Sequence, residues 1–179
     1  MRSLKILLNV LLILLGIFLM GGLLLPPKWI VSRSVTIHAT PKEIYPFVSN
    51  FKEWEKWAPW NSHKDATLQY TYQGPRESAG AKQSWKSEKM GSGWMQFTSM
   101  NPQTGVAYDI YIDMGRSQSA FQGDLRFARE GDDTRVTWTD QGDSGKNLIK
   151  RWMSLVFKSM LGKDFETGLA NLKMLVEKR

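Results

Sequence analysis

Cysteine is absent from the 179 residues. No disulfide, thiolate metal site, cysteine nucleophile or lipid-bearing cysteine can therefore form. Histidine is nearly absent too. His38 and His63 are the only two, and neither sits in a metal-ligand spacing. No Gly-x-Ser-x-Gly elbow, phosphate loop or dinucleotide fingerprint occurs. No metal or other cofactor is expected, and without a catalytic cluster the chain reads as a non-enzymatic protein.

Charge of one sign is missing locally. Residues 1–27 hold Arg2 and Lys5 and no acid, whereas residues 28–144 hold 14 bases and 14 acids and are neutral. Residues 145–179 hold eight bases against Asp164, Glu166 and Glu177. The excess of the net +7 thus sits at the two ends. A neutral middle gives little attraction for phosphates, so nucleic acid is not an expected partner. The basic C-terminal segment suits either a solvated helix face or an anionic lipid surface.

The longest apolar run is Ile6 to Leu25, with Asn9 its one strongly polar member. As a helix its twenty residues span about 30 Å, the thickness of a bilayer's hydrocarbon core. Pro26 and Pro27 end it, and Lys28 and Trp29 follow where a cation and an indole suit the interface. A cleaved signal peptide would have a shorter core and a small-residue cleavage site. The run is read as an uncleaved anchor, 1–27, followed by one soluble domain, 28–179. Arg2 and Lys5 place the N-terminus in the cytoplasm. For a bacterial inner-membrane protein, the domain would then face the periplasm or exterior.

Val31 to Ala39 alternates, with Val31, Val35, Ile37 and Ala39 on one face, as in a half-buried strand. Thr40-Pro41-Lys42-Glu43 is a helix start, with a second short helix expected over 51–57. Strands follow at 67–72, 82–88, 94–100, 106–114, 117–127 and 134–139, separated by Gly- and Pro-containing turns. Beyond Gly142 the period becomes helical. Leu148, Ile149, Trp152, Met153, Val156 and Met160 make a stripe that Phe165, Leu169, Leu172 and Val176 continue past Gly162, where a kink is expected. The fold class is α+β, with helices on one side of a curved antiparallel sheet of about seven strands.

Asp109 and Asp113 share the polar face of one strand and are expected to face water. Aromatic residues are the stronger signal. Trp54, Trp57 and Trp60 recur every third residue, and Tyr70, Trp85, Tyr108, Phe121 and Trp138 fall on strands. Two readings fit them: the lining of an apolar ligand pocket, or ordinary core.

Particular residues carry a family resemblance. They are Arg33-Ser34-Val35-Thr36-Ile37 with Thr40-Pro41, then Trp54, Trp57 and Ala58-Pro59-Trp60, then Gly80-Ala81 with Trp85 and Gly91-Ser92-Gly93. Thr134 to Trp138 and Asp164 to Lys173 complete the set. Over roughly residues 30–178 the chain resembles the helix-grip START/Bet v 1-like superfamily, and within it the bacterial polyketide cyclase/dehydrase and lipid-transport group. The resemblance implies a cavity between the sheet and the long C-terminal helix, with Trp54, Trp57 and Trp60 near its mouth. A membrane-tethered domain binding a lipid or apolar small molecule is the leading expectation. A cyclase- or hydrolase-like enzyme and a protein-interaction module are the rivals, because one fold serves many functions.

Overall fold

The computed structural model describes residues 2–62, 64–115 and 117–178, so His63 lies outside the described residues. Helix α1 covers Arg2–Leu24, and Ser3–Leu24 is long and apolar enough to cross a membrane. Strand β1 (Lys28–Ile37) follows, then α2 (Pro41–Val48) and the single turn α3 (Phe51–Trp54). Next come β2 (Gln69–Gln73), β3 (Lys82–Ser87), β4 (Gly91–Asn101), β5 (Gly105–Asp113), β6 (Gln118–Glu130) and β7 (Asp133–Asp143). Helix α4 (Leu148–Glu177) ends the chain. The seven strands form one antiparallel sheet in the order β1-β7-β6-β5-β4-β3-β2. It curves around α4, the helix-grip architecture that the family resemblance implies.

Local chemistry explains the elements. Glu43 accepts hydrogen bonds from the backbone N–H and hydroxyl of Thr40, both at 2.7 Å, which fixes the start of α2. The second helix is shorter than expected, because residues beyond Trp54 turn to bring Trp57 inward. Gly91-Ser92-Gly93, read as a turn, belongs to β4. There Gly93 makes room for Trp85, whose ring would lie 2.3 Å from an added Cβ.

Strand alternation sorts the side chains. Paired registers place Val136, Trp138, Asp140, Phe121, Leu125, Tyr108, Ile110, Ile112, Met95, Trp85 and Tyr70 on the concave face. Asp109 and Asp113 fall on the convex face as expected, where Gln122 and Gln118 donate to them. The core lies between the concave face, α2–α3 and the C-terminal half of α4. Trp138 stacks flat on Phe165 at 4.2 Å, and both are 0% exposed.

Helix α4 differs from expectation in two ways. It runs unbroken through Gly162, whose missing side chain admits Arg33 (a Cβ there would lie 2.5 Å from the guanidinium). Its two apolar stripes also occupy different faces. From Met160 to Phe165 is a step of five residues, which rotates the apolar face by about 140° at 3.6 residues per turn. Leu161, Phe165, Leu169, Leu172 and Val176 are buried, while Ile149, Met153, Val156 and Met160 are all more than half exposed.

Phe165→Ala is therefore expected to cost about 3–5 kcal/mol in urea unfolding. Met153→Ala, on the exposed stripe, should change stability by less than about 0.5 kcal/mol.

Candidate functional site

The aromatic residues divide between a closed and an open half of the concave face. In the closed half, Trp54 and Trp57 are buried and their indole N–H groups donate to the carbonyls of Val48 and Phe47, each at 2.9 Å. Trp138 meets Trp54, Trp57, Trp60 and Phe165 in ring contacts of 4.2–5.8 Å. These rings fill the space beneath the C-terminal half of α4. Trp60 is half-buried, its carbonyl accepts from the Tyr70 hydroxyl at 2.8 Å, and its indole bonds Asp164 of α4. Burial pushes the Asp164 carboxyl above its usual range.

At the centre lies a polar row the sequence reading missed. Tyr108 of β5, Gly123 of β6 and Asp140 of β7 are register neighbours. The Tyr108 ring crosses over Gly123, where a Cβ would come within 2.4 Å of it and 2.0 Å of Asp140. The Tyr108 hydroxyl donates to Asp140 and accepts from the Trp138 indole, both at 2.7 Å. Burial, reinforced by the charge of Asp124, raises the Asp140 pKa to about 7. Asp140 was legible in one respect: the alternation that turns Val136 and Trp138 inward turns it inward too. With Asp140 2% exposed and Tyr108 1% exposed, this row is sealed from solvent.

The open half lies toward the start of α4. There Tyr70, Trp85 and Ile112 are half-buried, and Phe121 forms edge contacts with Trp29 and Phe157 at 5.2 and 6.0 Å. Trp29, expected at a lipid interface, packs against Phe121 and Phe157. At this end of the molecule one flank of α4, turned away from the sheet, is bare. In its C-terminal half that flank is covered by the Trp57–Trp60 segment, through Asn171 to the Trp57 carbonyl (3.1 Å) and Asp164 to Trp60. Earlier along the helix the same flank is Met160, Val156, Met153 and Ile149, and nothing among the described residues covers it. Strand β1 holds the opposite flank, through Arg33 at Gly162 and Lys173 to the Thr36 carbonyl.

Two surface depressions lie elsewhere. One of about 610 Å³ is lined by Lys52, Glu55, Lys56, Asn61, Ser62 and Tyr72 and is open to solvent. A second, of about 190 Å³, lies beside it along Phe51, Tyr72 and Lys82. No group of three or more metal-ligating side chains occurs among the described residues. His38 is exposed at the end of β1 and pairs with Asp133 at 2.6 Å, which raises its pKa.

Residues 28–177 match the family model for polyketide cyclase / dehydrase and lipid transport. The chain belongs to that family. No curated protein sequence matches it. Among solved structures it is similar to an Aha1 dimer from Colwellia psychrerythraea, with a TM-score of 0.60 and 16% identity over 83% of this chain and 96% of that one. It is also similar to a hypothetical protein from Helicobacter pylori, with a TM-score of 0.60 and 12% identity over 83% of this chain and 88% of that one. A third likeness is Ara h 8.0201, with a TM-score of 0.57 and 8% identity over 85% of this chain and 99% of that one. At these identities the likenesses bear on fold alone.

Asp140 generates a pH prediction. Its folded pKa of about 7 exceeds the ordinary 3.8, so the folded chain holds a proton that the unfolded chain releases. The stability this supplies is complete below about pH 4 and is lost as pH rises through about 7. Glu43 and Asp65, held low by hydrogen bonds, contribute the opposite slope in acid. They are shared by wild type and Asp140→Asn and cancel between them. In urea titrations the variant should gain on wild type between about pH 4 and pH 7, with a constant difference above that range.

Proposed function

We propose that this family member is a membrane-tethered, non-enzymatic domain that binds a lipid or other apolar small molecule in the open half of its concave face. The family's cyclase/dehydrase and lipid-transport description fits a ligand-binding domain. One observation carries the finer reading. The half of the concave face nearest α1 leaves Tyr70, Trp85 and Ile112 only half-buried on the sheet, with Phe157 of α4 packed on Phe121 beside them. Apolar surface left open in this way is stabilised by an apolar occupant.

In this reading α1 is an uncleaved span, with the N-terminus on the cytoplasmic side and the domain facing outward. The basic residues Arg2 and Lys5 support that orientation. The absence of chemistry is supported by the placement of Asp140 and Tyr108. The strongest titratable pair on the concave face is sealed beneath Trp138 and cannot touch a substrate bound in the open half.

Binding of a fluorescent fatty-acid analogue to the detergent-purified chain tests the reading. Trp85→Ala removes part of the sheet-side wall and should weaken binding about tenfold. Trp94→Ala, on the convex face where Trp94 stacks on Tyr111, should leave it unchanged. Equal loss in both variants, or no binding by wild type, would sink the proposal.

A further inference from the structure

We infer that the N-terminal half of α4 lies in the bilayer interface beside α1, with its bare flank against lipid. The inference rests on the reading of α1 as a membrane span and adds to it a second lipid-facing surface.

Two side chains of α4 join it to α1. The Trp152 indole donates to the Phe18 carbonyl at 3.1 Å, and its ring stacks on Phe18 at 6.0 Å. Gly21 lets the ring approach, since a Cβ there would lie 2.5 Å from it. Arg151 donates to the carbonyls of Gly22, Leu23 and Leu25 at 3.2–3.3 Å and so occupies the acceptors left free at the end of α1. The helices are clamped together.

Depth follows from helix geometry. Phe18 lies six residues before the end of α1, about 9 Å along its axis. The 22 residues Ser3–Leu24 reach about 33 Å, enough for a hydrocarbon core of about 30 Å. Were Trp152 held in water, hydrocarbon would have to end near Phe18. The helix left to span it, from Ser3, would reach only about 24 Å. A full-length span therefore draws Trp152 and its helix down into the interface, a depth that suits an indole.

The surface of α4 matches that depth. On the helical wheel Ile149, Val156 and Met160 follow directly on the α1-facing side, and Leu155 is exposed on its other side. From Leu148 to Lys163 the helix has no acidic residue but carries Lys150, Arg151, Lys158 and Lys163. That balance favours anionic headgroups. The β5–β6 turn, tied to α4 by Lys150 donating to the Gln118 carbonyl at 2.8 Å, presents Met114, 54% exposed, at the same end. The open half of the concave face thus opens onto lipid.

The natural absence of cysteine allows single-site labelling of the full chain. Val156→Cys, Leu12→Cys and Asp132→Cys would each carry an NBD fluorophore. The proteins are reconstituted in phosphatidylcholine vesicles containing phosphatidylglycerol, with doxyl quenchers either near the headgroup or deep in the chain. The label at position 156 should lose most of its emission to the shallow quencher, the label at 12 to the deep one, and the label at 132 only to aqueous iodide. Quenching at 12 with position 156 open to iodide would overturn the inference while leaving the span intact. Position 156 protected from both lipid and iodide would assign the flank to a second copy of the chain and overturn it equally. No lipid quenching at position 12 would remove the span itself, and the inference with it.

Discussion

The flat stack of Trp138 on Phe165, 4.2 Å between ring centres, holds α4 across the concave face. Everything near it is arranged to allow that contact. Gly168 lets the helix approach, because a Cβ there would lie 2.9 Å from the Trp138 ring. Trp54, Trp57 and Trp60 close around the indole from the side of α2 and α3. Its N–H is satisfied by Tyr108, which reaches it only because Gly123 has no side chain. A buried indole without that acceptor would incur the desolvation cost of an unmade hydrogen bond.

Seating the C-terminal half of α4 so firmly leaves the N-terminal half projecting beyond the α2–α3 cover. That overhang has two consequences. It exposes an apolar flank turned about 140° from the core face, and it brings Arg151 and Trp152 to α1. Helix α1 is consequently docked on the domain. In the proposed arrangement one helix closes the core and sets the height of the ligand site at the membrane.

Much of this was legible in the residues. Alternation placed Tyr70, Trp85, Tyr108, Phe121 and Trp138 on strands, and the Thr40–Glu43 capping box marked the start of α2. The two stripes of α4 were visible, but the five-residue step from Met160 to Phe165 was read as one face interrupted by a kink. Counted at about 100° per residue, it separates the faces without bending the helix. The roles of Gly123 and Gly162 were not legible. A glycine that makes room is defined by what crosses it, here Tyr108 and Arg33, and those partners come from strands distant in sequence. For the same reason the ring contacts of Trp29 with Phe121 and Phe157 were not legible.

The proposed arrangement divides α4 into a core half and a lipid half. Hydrogen–deuterium exchange of the full chain, compared between lipid nanodiscs and mild detergent, tests it most directly. Amides of residues 161–176 should exchange slowly in both environments, whereas residues 149–160 should be slowed in nanodiscs relative to detergent. Equal exchange of residues 149–160 in the two environments would contradict the account.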